Sequence, residues 1–501
     1  MAILNSIINW LNIKRMSQIE LFRKYPVDVQ LETLYKLLKK NRETEWGKNY
    51  GFNSIDTASD FKNRVPLSDY NSLTPYINRI RNCEQNILWF SEIKWFAKSS
   101  GTTNDKSKFI PVSREALEDC HFKGGKDIIA LYSSQKPNYE LFKGKTLALG
   151  GSHQVNDYNN ASYYGDLSAV LMQNLPFWAE FLRTPNLEIA LMDEWESKIE
   201  KMANVTSKEN VTNIAGVPSW MLVLMKRILE ITGKTSISEV WPNLELFVHG
   251  GVSFTPYREQ FKKIFSSEKV NYLETYNASE GFFAIQDDLS KNDMLLMLDY
   301  GIYYEFIPIE DFSKENPKVL NIGEVELCKN YALVISTNAG LWRYVIGDTV
   351  KFTSLYPHKI VITGRTKHFI NAFGEELIIE NAEKAIKIAC EKTSTNIVEY
   401  TAGPVYMTEK SKGAHEWLFE FSVSPSNMEY FMEVLDNALK SLNSDYEAKR
   451  YRNLSLDFPK YTILKKGTFY KWLKNKGKLG GQHKIPRLAN HREYIEEILA
   501  I

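Results

Sequence analysis

The sequence is poor in cysteine, has no long apolar run and carries no excess of charge of either sign. Its four cysteines lie far apart in 501 residues without a C-x-x-C pair, which disfavours a disulfide framework or a zinc knuckle and favours reduced, cytoplasmic thiols. No stretch reaches about 18 uninterrupted apolar residues, so we expect no membrane-spanning helix. Lysine plus arginine is 62 and aspartate plus glutamate is 61, and this balance favours neither nucleic acid nor an anionic membrane as a partner.

The chain is long enough for two domains, because a single hydrophobic core rarely grows past roughly 250–300 residues. Up to about residue 290, apolar strands alternate with helices, which predicts an α/β sheet that is parallel in its core. Residues 294–363 contain short strands and turns, typical of an antiparallel sheet or a small barrel. A compact α+β unit follows. We therefore predict an N-terminal domain over 1–363 and a smaller C-terminal domain over 364–501.

Apolar periodicity and turn residues locate the main elements. The predicted helices are 17–48 with a break at Pro26, 113–133, 218–232, one with Thr255 as its N-cap, 380–392 and 424–442. The predicted strands are 93–98, 145–149, 244–249, 270–276, 295–298, 303–307, 323–327, 332–336, 349–352, 359–362, 397–407 and 416–422.

The strongest chemical motif is a loop rich in hydroxyl groups that follows a predicted strand. Gly101 has no side chain, so a polyphosphate can approach the backbone N–H groups closely, while hydroxyls donate and lysines supply charge. The G-x-x-x-x-G-K-[ST] pattern is absent, so this is not a Walker A loop. Taken alone, a solvated surface loop explains it equally well. The candidate residues are Ser99, Ser100, Gly101, Thr102, Thr103 and Lys108.

Two acidic residues stand at ends of predicted strands. Glu280, in Tyr276-Asn-Ala-Ser-Glu-Gly281, lies where open α/β sheets bind ligands, and one carboxylate there suits a Mg²⁺ that bridges phosphate oxygens. Tyr276 could stack on a purine. Asp348 follows Gly347, and its carboxylate can accept both hydroxyls of a ribose. Turn residues on the protein surface are the alternative for both acids.

Two basic segments complete the set of motifs, one at the predicted domain boundary and one near the C-terminus. Arg365 and Lys367 lie at the expected hinge, in Gly364-Arg-Thr-Lys-His-Phe-Ile370. Lys484 lies in a glycine-flexible loop, Gly480-Gly-Gln-His-Lys-Ile485, from which a moving domain could deliver a lysine to a site.

In their order and spacing these segments resemble the adenylate-forming superfamily of acyl-CoA synthetases, peptide-synthetase adenylation domains and luciferases. The finer detail is similar to one branch, the auxin-responsive acyl acid–amido synthetases, in a bacterial-type member. The segments that carry this resemblance are Ala215-Gly-Val-Pro-Ser-Trp-Met221, His249-Gly-Gly-Val-Ser-Phe-Thr-Pro-Tyr-Arg258, Tyr276-Asn-Ala-Ser-Glu-Gly-Phe-Phe283 and Gly340-Leu-Trp-Arg-Tyr344.

The resemblance implies a large α/β N-terminal domain with a small β-barrel-like subdomain, and a mobile α+β C-terminal domain. It also implies ATP and Mg²⁺ as cofactors, and a carboxylic acid and an amino acid or other amine as substrates of a monomer or weak homo-oligomer. The implied catalytic residues are Lys367, Lys484 and Glu280, with Glu280 on the metal. The implied nucleotide site is Ser99, Ser100, Gly101, Thr102, Thr103, Lys108, Gly251, Tyr276, Asn277, Ala278, Ser279, Asp348 and Arg365.

The implied acyl pocket comprises Val217, Trp220, Met221, Val252, Phe254 and Tyr164, and plain core packing is the alternative for its helical members. Val345 stands where the branch often has arginine, so we expect Arg343 or Arg365 to supply that contact. Two other functions stay open: transfer of the acyl group to coenzyme A, and nucleotide binding without catalysis. The acid, the amine and the general base of the second step are not specified by the sequence.

Overall fold

The structure is a computed structural model, and it describes residues 2–99, 108–150, 156–157, 162–192, 194–252, 254, 257–366, 369–408, 411–451, 456–476 and 485–501. Within these residues, no helix combines the length and the apolar character needed to cross a bilayer.

Helices cover the sheets and build most of the N-terminal 80 residues and much of the C-terminal domain. They are α1 (Ala2–Lys24), α2 (Pro26–Asn41), α3 (Glu45–Asn49), α4 (Ala58–Arg64), α5 (Tyr70–Arg81), α6 (Arg114–Ala116), α7 (Phe122–Gln135), α8 (Leu167–Gln173), α9 (Leu187–Ala190), α10 (Trp195–Thr206), α11 (Pro218–Thr232), α12 (Ile237–Val240), α13 (Arg258–Phe265), α14 (Ile379–Thr393), α15 (Met428–Leu442), α16 (Ser444–Arg450), α17 (Thr468–Asn475) and α18 (Glu493–Leu499). A π-helical turn, Leu117–His121, joins α6 to α7.

The strands form four sheets. They are β1 (Trp95–Ser99), β2 (Lys108–Val112), β3 (Lys145–Leu149), β4 (Asn156–Asp157), β5 (Tyr163–Gly165), β6 (Arg183–Thr184), β7 (Val211–Gly216), β8 (Leu246–His249), β9 (Asn271–Ala278), β10 (Gly281–Ile285), β11 (Met294–Leu296), β12 (Ile302–Pro308), β13 (Asn330–Thr337), β14 (Tyr344–Leu355), β15 (His358–Arg365), β16 (Phe369–Ile370), β17 (Leu377–Ile378), β18 (Asn396–Val405), β19 (Ala414–Val423) and β20 (Lys460–Ile463).

One sheet of 11 strands dominates the N-terminal domain, in the order β12-β13-β14-β15-β11-β10-β9-β8-β7-β3-β6. The strands from β9 to β6 pair in parallel, and those from β12 to β9 pair antiparallel. Of the two alternatives for residues 294–363, the structure has the antiparallel sheet, which continues the parallel one. β9 is the strand that joins the two halves.

The other sheets are smaller. β2-β1-β5-β4 forms a four-stranded sheet beside the main one, β16-β17 is a hairpin, and β18-β19-β20 is the sheet of the C-terminal domain. One hydrophobic cluster holds the antiparallel half of the large sheet and the first helices. A second contains Met221 and Phe261 of the N-terminal domain together with Phe373 and Trp417 of the C-terminal domain, so the two domains share buried apolar surface.

Most predicted elements are confirmed, with ends that shift by a few residues. Residues 323–327 are an exception, because they form turns and no strand. The helix expected to follow Thr255 begins at Arg258; Thr255 lies outside the described residues. The domain boundary at 363/364 stays a proposal; β15 crosses it.

Candidate active site

The hairpin of β9 and β10 carries the first group of site residues. β9 pairs in parallel with β8 and antiparallel with β10, and the two residues Ser279 and Glu280 form the turn between Ala278 and Gly281. Glu280 therefore extends from the carboxyl end of a strand in the middle of the sheet. In open α/β sheets this is the edge at which ligands bind.

Tyr276, Asp348 and Arg365 form one hydrogen-bonded group, although they are far apart in the chain. The Tyr276 hydroxyl donates to Oδ2 of Asp348 at 2.6 Å, and Nε of Arg365 donates to Oδ1 at 2.8 Å. Asp348 and Arg365 face each other in the β14–β15 pair. Burial and the charge of Asp348 raise the pKa of Tyr276 well above its usual range, so the hydroxyl stays protonated and donates.

Glu280 lies within electrostatic reach of this group. Its pKa is raised to about 7, mainly by burial; the positive charge of Lys108 opposes the rise, and the negative charges of Asp348 and Glu376 add to it. Nη2 of Arg365 is also 3.4 Å from Oε1 of Glu376. Three carboxylates and two cations thus gather at one place, and the half-buried Glu280 carboxylate is only partly neutralised there.

A cleft of about 370 Å³ opens beside these charges. It runs between the N-terminal domain and the β16–β17 hairpin, and its walls include Tyr70, Lys108, Tyr344, Gly347, Arg365 and Phe369. Thr366 is fixed at its edge, since its N–H donates to the Gly347 carbonyl at 2.8 Å. Tyr344 belongs to the Gly340-Leu-Trp-Arg-Tyr344 motif, whereas Tyr70 belongs to no motif that could have identified it from the sequence.

Lys108 connects the cleft to the predicted phosphate loop. It begins β2 and lies opposite Ser99, the last residue of β1, so residues 100–107 join two paired antiparallel strands. Nζ of Lys108 lies 5.9 Å from the centre of the Tyr70 ring. Ser100, Gly101, Thr102 and Thr103 lie outside the described residues, as do the Ser99 side chain, Lys367 and Lys484.

The remaining predicted nucleotide residues lie at the carboxyl ends of β8 and β9. Gly251 has φ of +81°, in the left-handed region that favours glycine, and it is exposed. At Gly250, a Cβ atom would lie 2.5 Å from the Thr275 carbonyl oxygen, so the backbone there needs glycine. Asn277 is exposed, and Ala278 and Ser279 are partly exposed. The parallel half of the sheet thus brings these residues to the same edge as Glu280.

The predicted acyl-pocket residues divide by burial. Met221 and Phe254 belong to the hydrophobic core, where Phe254 stacks on His249 with 4.0 Å between ring centres. Val252 is buried too, while Val217, Trp220 and Tyr164 keep part of their surface exposed. The partly exposed members are the ones in a position to touch a substrate.

Arg343 does not supply the contact that the sequence suggested. It is buried, its Nε and Nη2 donate to Glu305 at 2.9 and 3.0 Å, and its Nη1 donates to the carbonyls of Lys62 and Val65. These bonds tie the end of α4 to the sheet. Arg365 is the alternative that does lie beside Asp348.

A larger depression, of about 1000 Å³, lies between the α1–α2 junction and the β14–β15 turn. Its walls carry paired charges, including Arg23 with Asp287 at 2.8 Å and Lys359 with Asp287 at 2.7 Å. The described residues of the predicted site do not line it. The predicted site residues Lys108 and Arg365 line the smaller cleft instead.

Three protein-family domains match consecutive parts of the chain. Residues 15–270 match the GH3 family N-terminal domain, residues 295–365 the GH3 family central domain and residues 380–493 the GH3 family C-terminal domain. The chain belongs to the GH3 family.

Several curated relatives of this GH3 chain are plant enzymes. Indole-3-acetic acid-amido synthetase GH3.3 of Arabidopsis thaliana is 24% identical, over 97% of this chain and 93% of its own length. Jasmonoyl--L-amino acid synthetase JAR4 of Nicotiana attenuata is 24% identical, over 94% and 92%.

Two solved structures share the fold seen here. AtGH3.15 acyl acid amido synthetase in complex with 2,4-DB superposes with a TM-score of 0.61 at 18% identity, covering 94% of this chain and 93% of that one. A 2-hydroxyisobutyryl-CoA ligase in complex with 2-HIB-AMP and CoA superposes with a TM-score of 0.58 at 12% identity, covering 95% and 92%.

Proposed function

We propose that this protein is an ATP-dependent acyl acid amido synthetase, a ligase that activates a carboxylic acid as its adenylate and transfers the acyl group to an amino acid. The observation that carries the proposal is one group of charges beside the cleft. Lys108 and Arg365 line the cleft, Arg365 pairs with Asp348, and Glu280 lies within electrostatic reach of both Lys108 and Asp348. Family membership and amido synthetase relatives support the same reaction.

In the first half-reaction, an oxygen of the acid attacks the α-phosphorus of ATP, and the bond to the β-phosphate oxygen breaks. Pyrophosphate leaves, and an acyl-adenylate with a good leaving group remains. The protein contributes mainly position and charge neutralisation. We assign Ser99, Ser100, Gly101, Thr102, Thr103 and Lys108 to the phosphates, Asp348 to the ribose hydroxyls and Arg365 to the ribose or the developing negative charge.

Glu280 is the residue that we assign to Mg²⁺. The described residues contain no group of three histidine, cysteine or acidic side chains arranged to hold a metal. One protein carboxylate plus phosphate oxygens and waters is a usual Mg²⁺ site, and the raised pKa of Glu280 among other carboxylates fits a place that a cation completes. Bound there, Mg²⁺ would neutralise charge on the phosphates.

The other predicted contacts belong to the nucleotide and acyl sites. Tyr276 holds Asp348, while Gly251, Asn277, Ala278 and Ser279 border the nucleotide. Val217, Trp220 and Tyr164 contact the acyl group, with Val252, Met221 and Phe254 packed behind them.

In the second half-reaction, the neutral amine attacks the acyl carbon. The carbon–oxygen bond to AMP breaks, and the amine nitrogen loses a proton. We assign Lys367 to the ribose or the developing negative charge, and Lys484 is the lysine that a moving C-terminal domain delivers to the site. We place the enzyme in the cytoplasm as a monomer or weak homo-oligomer.

The test uses purified enzyme, ATP, Mg²⁺ and a panel of benzoate, indole-3-acetate and octanoate. We expect pyrophosphate exchange that depends on the acid, and an acyl–amino acid product, identified by mass, when amino acids are added. A thioester in place of the amide when coenzyme A is supplied would make the protein an acyl-CoA ligase. Nucleotide binding without exchange for any acid would leave a non-catalytic protein.

A further inference from the structure

Lys449, the penultimate residue of α16, is a buried cation that the proposed reaction does not use. Its exposed fraction is 7%, and burial lowers its pKa. The next residue, Arg450, donates to both oxygens of Asp436 at 2.8 and 2.9 Å. Among the described residues, the Lys449 ammonium has no such carboxylate within hydrogen-bond distance. Burying an ammonium costs free energy, so a specific contact must hold it there.

That contact is the indole of Trp220 in the other domain. Nζ of Lys449 lies 3.9 Å from the centre of the Trp220 ring, a cation–π distance. The indole Nε1 donates to the Phe373 carbonyl at 3.1 Å. A Cβ on Gly374 would lie 3.4 Å from the indole and 3.6 Å from Cε of Lys449. The C-terminal domain therefore contacts Trp220 on both its face and its edge.

The charges around Lys449 come from three elements. Asp445 lies in the first turn of α16, Glu375 lies in the 371–376 loop, and Asp166 precedes α8 in the N-terminal domain. The charge of Glu375 is already shared with His415 at 2.8 Å and with backbone N–H groups of the loop. Asp166, in the N-terminal domain, also attracts Lys449 across the domain boundary.

The same loop reaches the candidate active site. On its N-terminal-domain side, the Tyr257 hydroxyl donates to the Ala372 carbonyl at 2.7 Å, and Nδ2 of Asn371 is 3.4 Å from the Gly251 carbonyl. At its end, Glu376 accepts from Arg365. A continuous set of contacts thus runs from Lys449 and Trp220 to the charges around the cleft.

We propose that Lys449 is a positioning residue: seated on Trp220, it holds the C-terminal domain and the 371–376 loop in the orientation that one of the two half-reactions requires. The proposal rests on the proposed function. Lys449 and Trp220 belong to different domains, so any rotation of the C-terminal domain about residues 364–367 separates them. The Lys449–Trp220 contact therefore stabilises only this orientation of the C-terminal domain. Loss of the contact slows only the half-reaction that takes place in this orientation.

The experiment measures the two half-reactions separately in Lys449→Met, Lys449→Arg and the control Lys460→Met, which removes an exposed lysine from β20. Adenylation is followed by pyrophosphate exchange with the best acid of the benzoate, indole-3-acetate and octanoate panel, and transfer by single-turnover amide formation from pre-formed adenylate. For Lys449→Met we expect one rate to fall by about tenfold and the other by less than about twofold. Lys449→Arg, which keeps a cation able to stack on indole, restores most of the lost rate.

Equal losses in both half-reactions, or no loss in either, overturn the proposal, as does a Lys460→Met variant that behaves in the same way. Amide hydrogen exchange in residues 371–376 gives a readout that needs no activity. We expect it to be faster in Lys449→Met than in Lys460→Met, and equal rates count against the proposal. Absence of pyrophosphate exchange by the unmodified enzyme with every acid overturns the proposed function itself.

Discussion

Nε of Arg365 donates to Oδ1 of Asp348 at 2.8 Å, and the two residues are direct cross-strand partners in the β14–β15 pair. The other oxygen of Asp348 accepts from Tyr276. Both carboxylate oxygens are therefore held in place by protein donors, one on the paired strand β15 and one on β9. A carboxylate whose orientation is fixed in this way needs little reorganisation when it accepts the hydroxyls of a sugar.

Tyr276→Phe tests this orientation. The change removes the hydroxyl that donates to Asp348, a hydrogen bond to a charged group and so worth about 1.5–3 kcal/mol. We expect the KM for ATP in pyrophosphate exchange to rise about tenfold, while the KM for the acid changes little. The matched control is Tyr304→Phe, because that buried hydroxyl contacts the Met297 carbonyl at 3.3 Å, away from the site. Equal effects of the two substitutions contradict a specific role for Tyr276.

The Mg²⁺ requirement should depend on pH through Glu280. Its pKa is raised to about 7, so a proton competes with the metal below neutrality. We expect the apparent Mg²⁺ constant for exchange to rise about tenfold for each pH unit below 7 in the unmodified enzyme. Glu280→Gln should abolish most exchange and remove this dependence. Glu274→Gln, in the β9 strand that precedes the Glu280 turn, should keep both. A pH profile unchanged in Glu280→Gln would remove the metal assignment.

The raised pKa of Glu280 should also make the stability of the folded protein depend on pH. Because the folded-state pKa of Glu280 lies above its unfolded value, the folded state binds this proton more tightly between about pH 4.5 and 7. The contribution of Glu280 to the free energy of unfolding therefore falls as the pH rises through that window. Urea unfolding of the unmodified chain and of Glu280→Gln should diverge in that direction, with the variant relatively more stable at pH 7 than at pH 4.5.

Arg15 attaches the middle of α1 to the body of the protein. Its guanidinium bonds Asp127 at 2.7 Å and Asp299 at 2.5 Å, and Asp127 also accepts from the Tyr300 hydroxyl. Arg15→Met leaves the buried Asp127 without its cation, which should lower the free energy of unfolding by about 3–5 kcal/mol. Lys36→Met, which removes an exposed ion pair with Glu32, should leave urea unfolding unchanged. Similar midpoints for the two variants contradict the expectation.

Glu375 fixes the loop that carries the domain contacts. Its buried carboxylate accepts the N–H groups of Ala372 and Phe373 and pairs with His415. Glu375→Ala leaves these buried donors without a partner, so we expect a loss of about 3–5 kcal/mol in the free energy of unfolding. The control is Glu433→Ala, on the exposed face of α15. Urea unfolding of both variants checks the result, and a small loss for Glu375→Ala means that the loop relaxes to find other acceptors.

Much of the fold follows from the sequence, because apolar strands that end at glycine pairs and helices with a clear apolar period leave little choice of structure. β8 ends at His249 just before Gly250-Gly251, as its pattern predicts. Residues 323–327 are also predicted as a strand but form turns. There the Asn321 N–H donates to the Glu324 side chain, and the Gly323 N–H donates to the Asn321 side chain. The apolar pattern of the sequence does not show that side chains can compete with strand pairing for these backbone N–H groups.

The site was less predictable. Motifs identified Glu280 and Asp348, but the bond from Tyr276 to Asp348 spans 72 residues and depends on the order of strands in the sheet. Arg343 shows most clearly what sequence motifs cannot predict. This cation lies in a candidate functional motif but forms an ion pair with the buried Glu305, and the spacing of the two residues in the sequence does not indicate that pair. The contact of Lys449 with Trp220 likewise depends on how two domains pack.

β9 belongs to both halves of the large sheet. A slip of one residue in its pairing would turn Tyr276 to the opposite face and carry the Glu280 turn out of reach of Asp348. The position of the β9–β10 hairpin is thus fixed by strand pairing on two sides. New acid or amine preferences in such a protein must arise in the segments that border the cleft, while the strand itself tolerates almost no change in length.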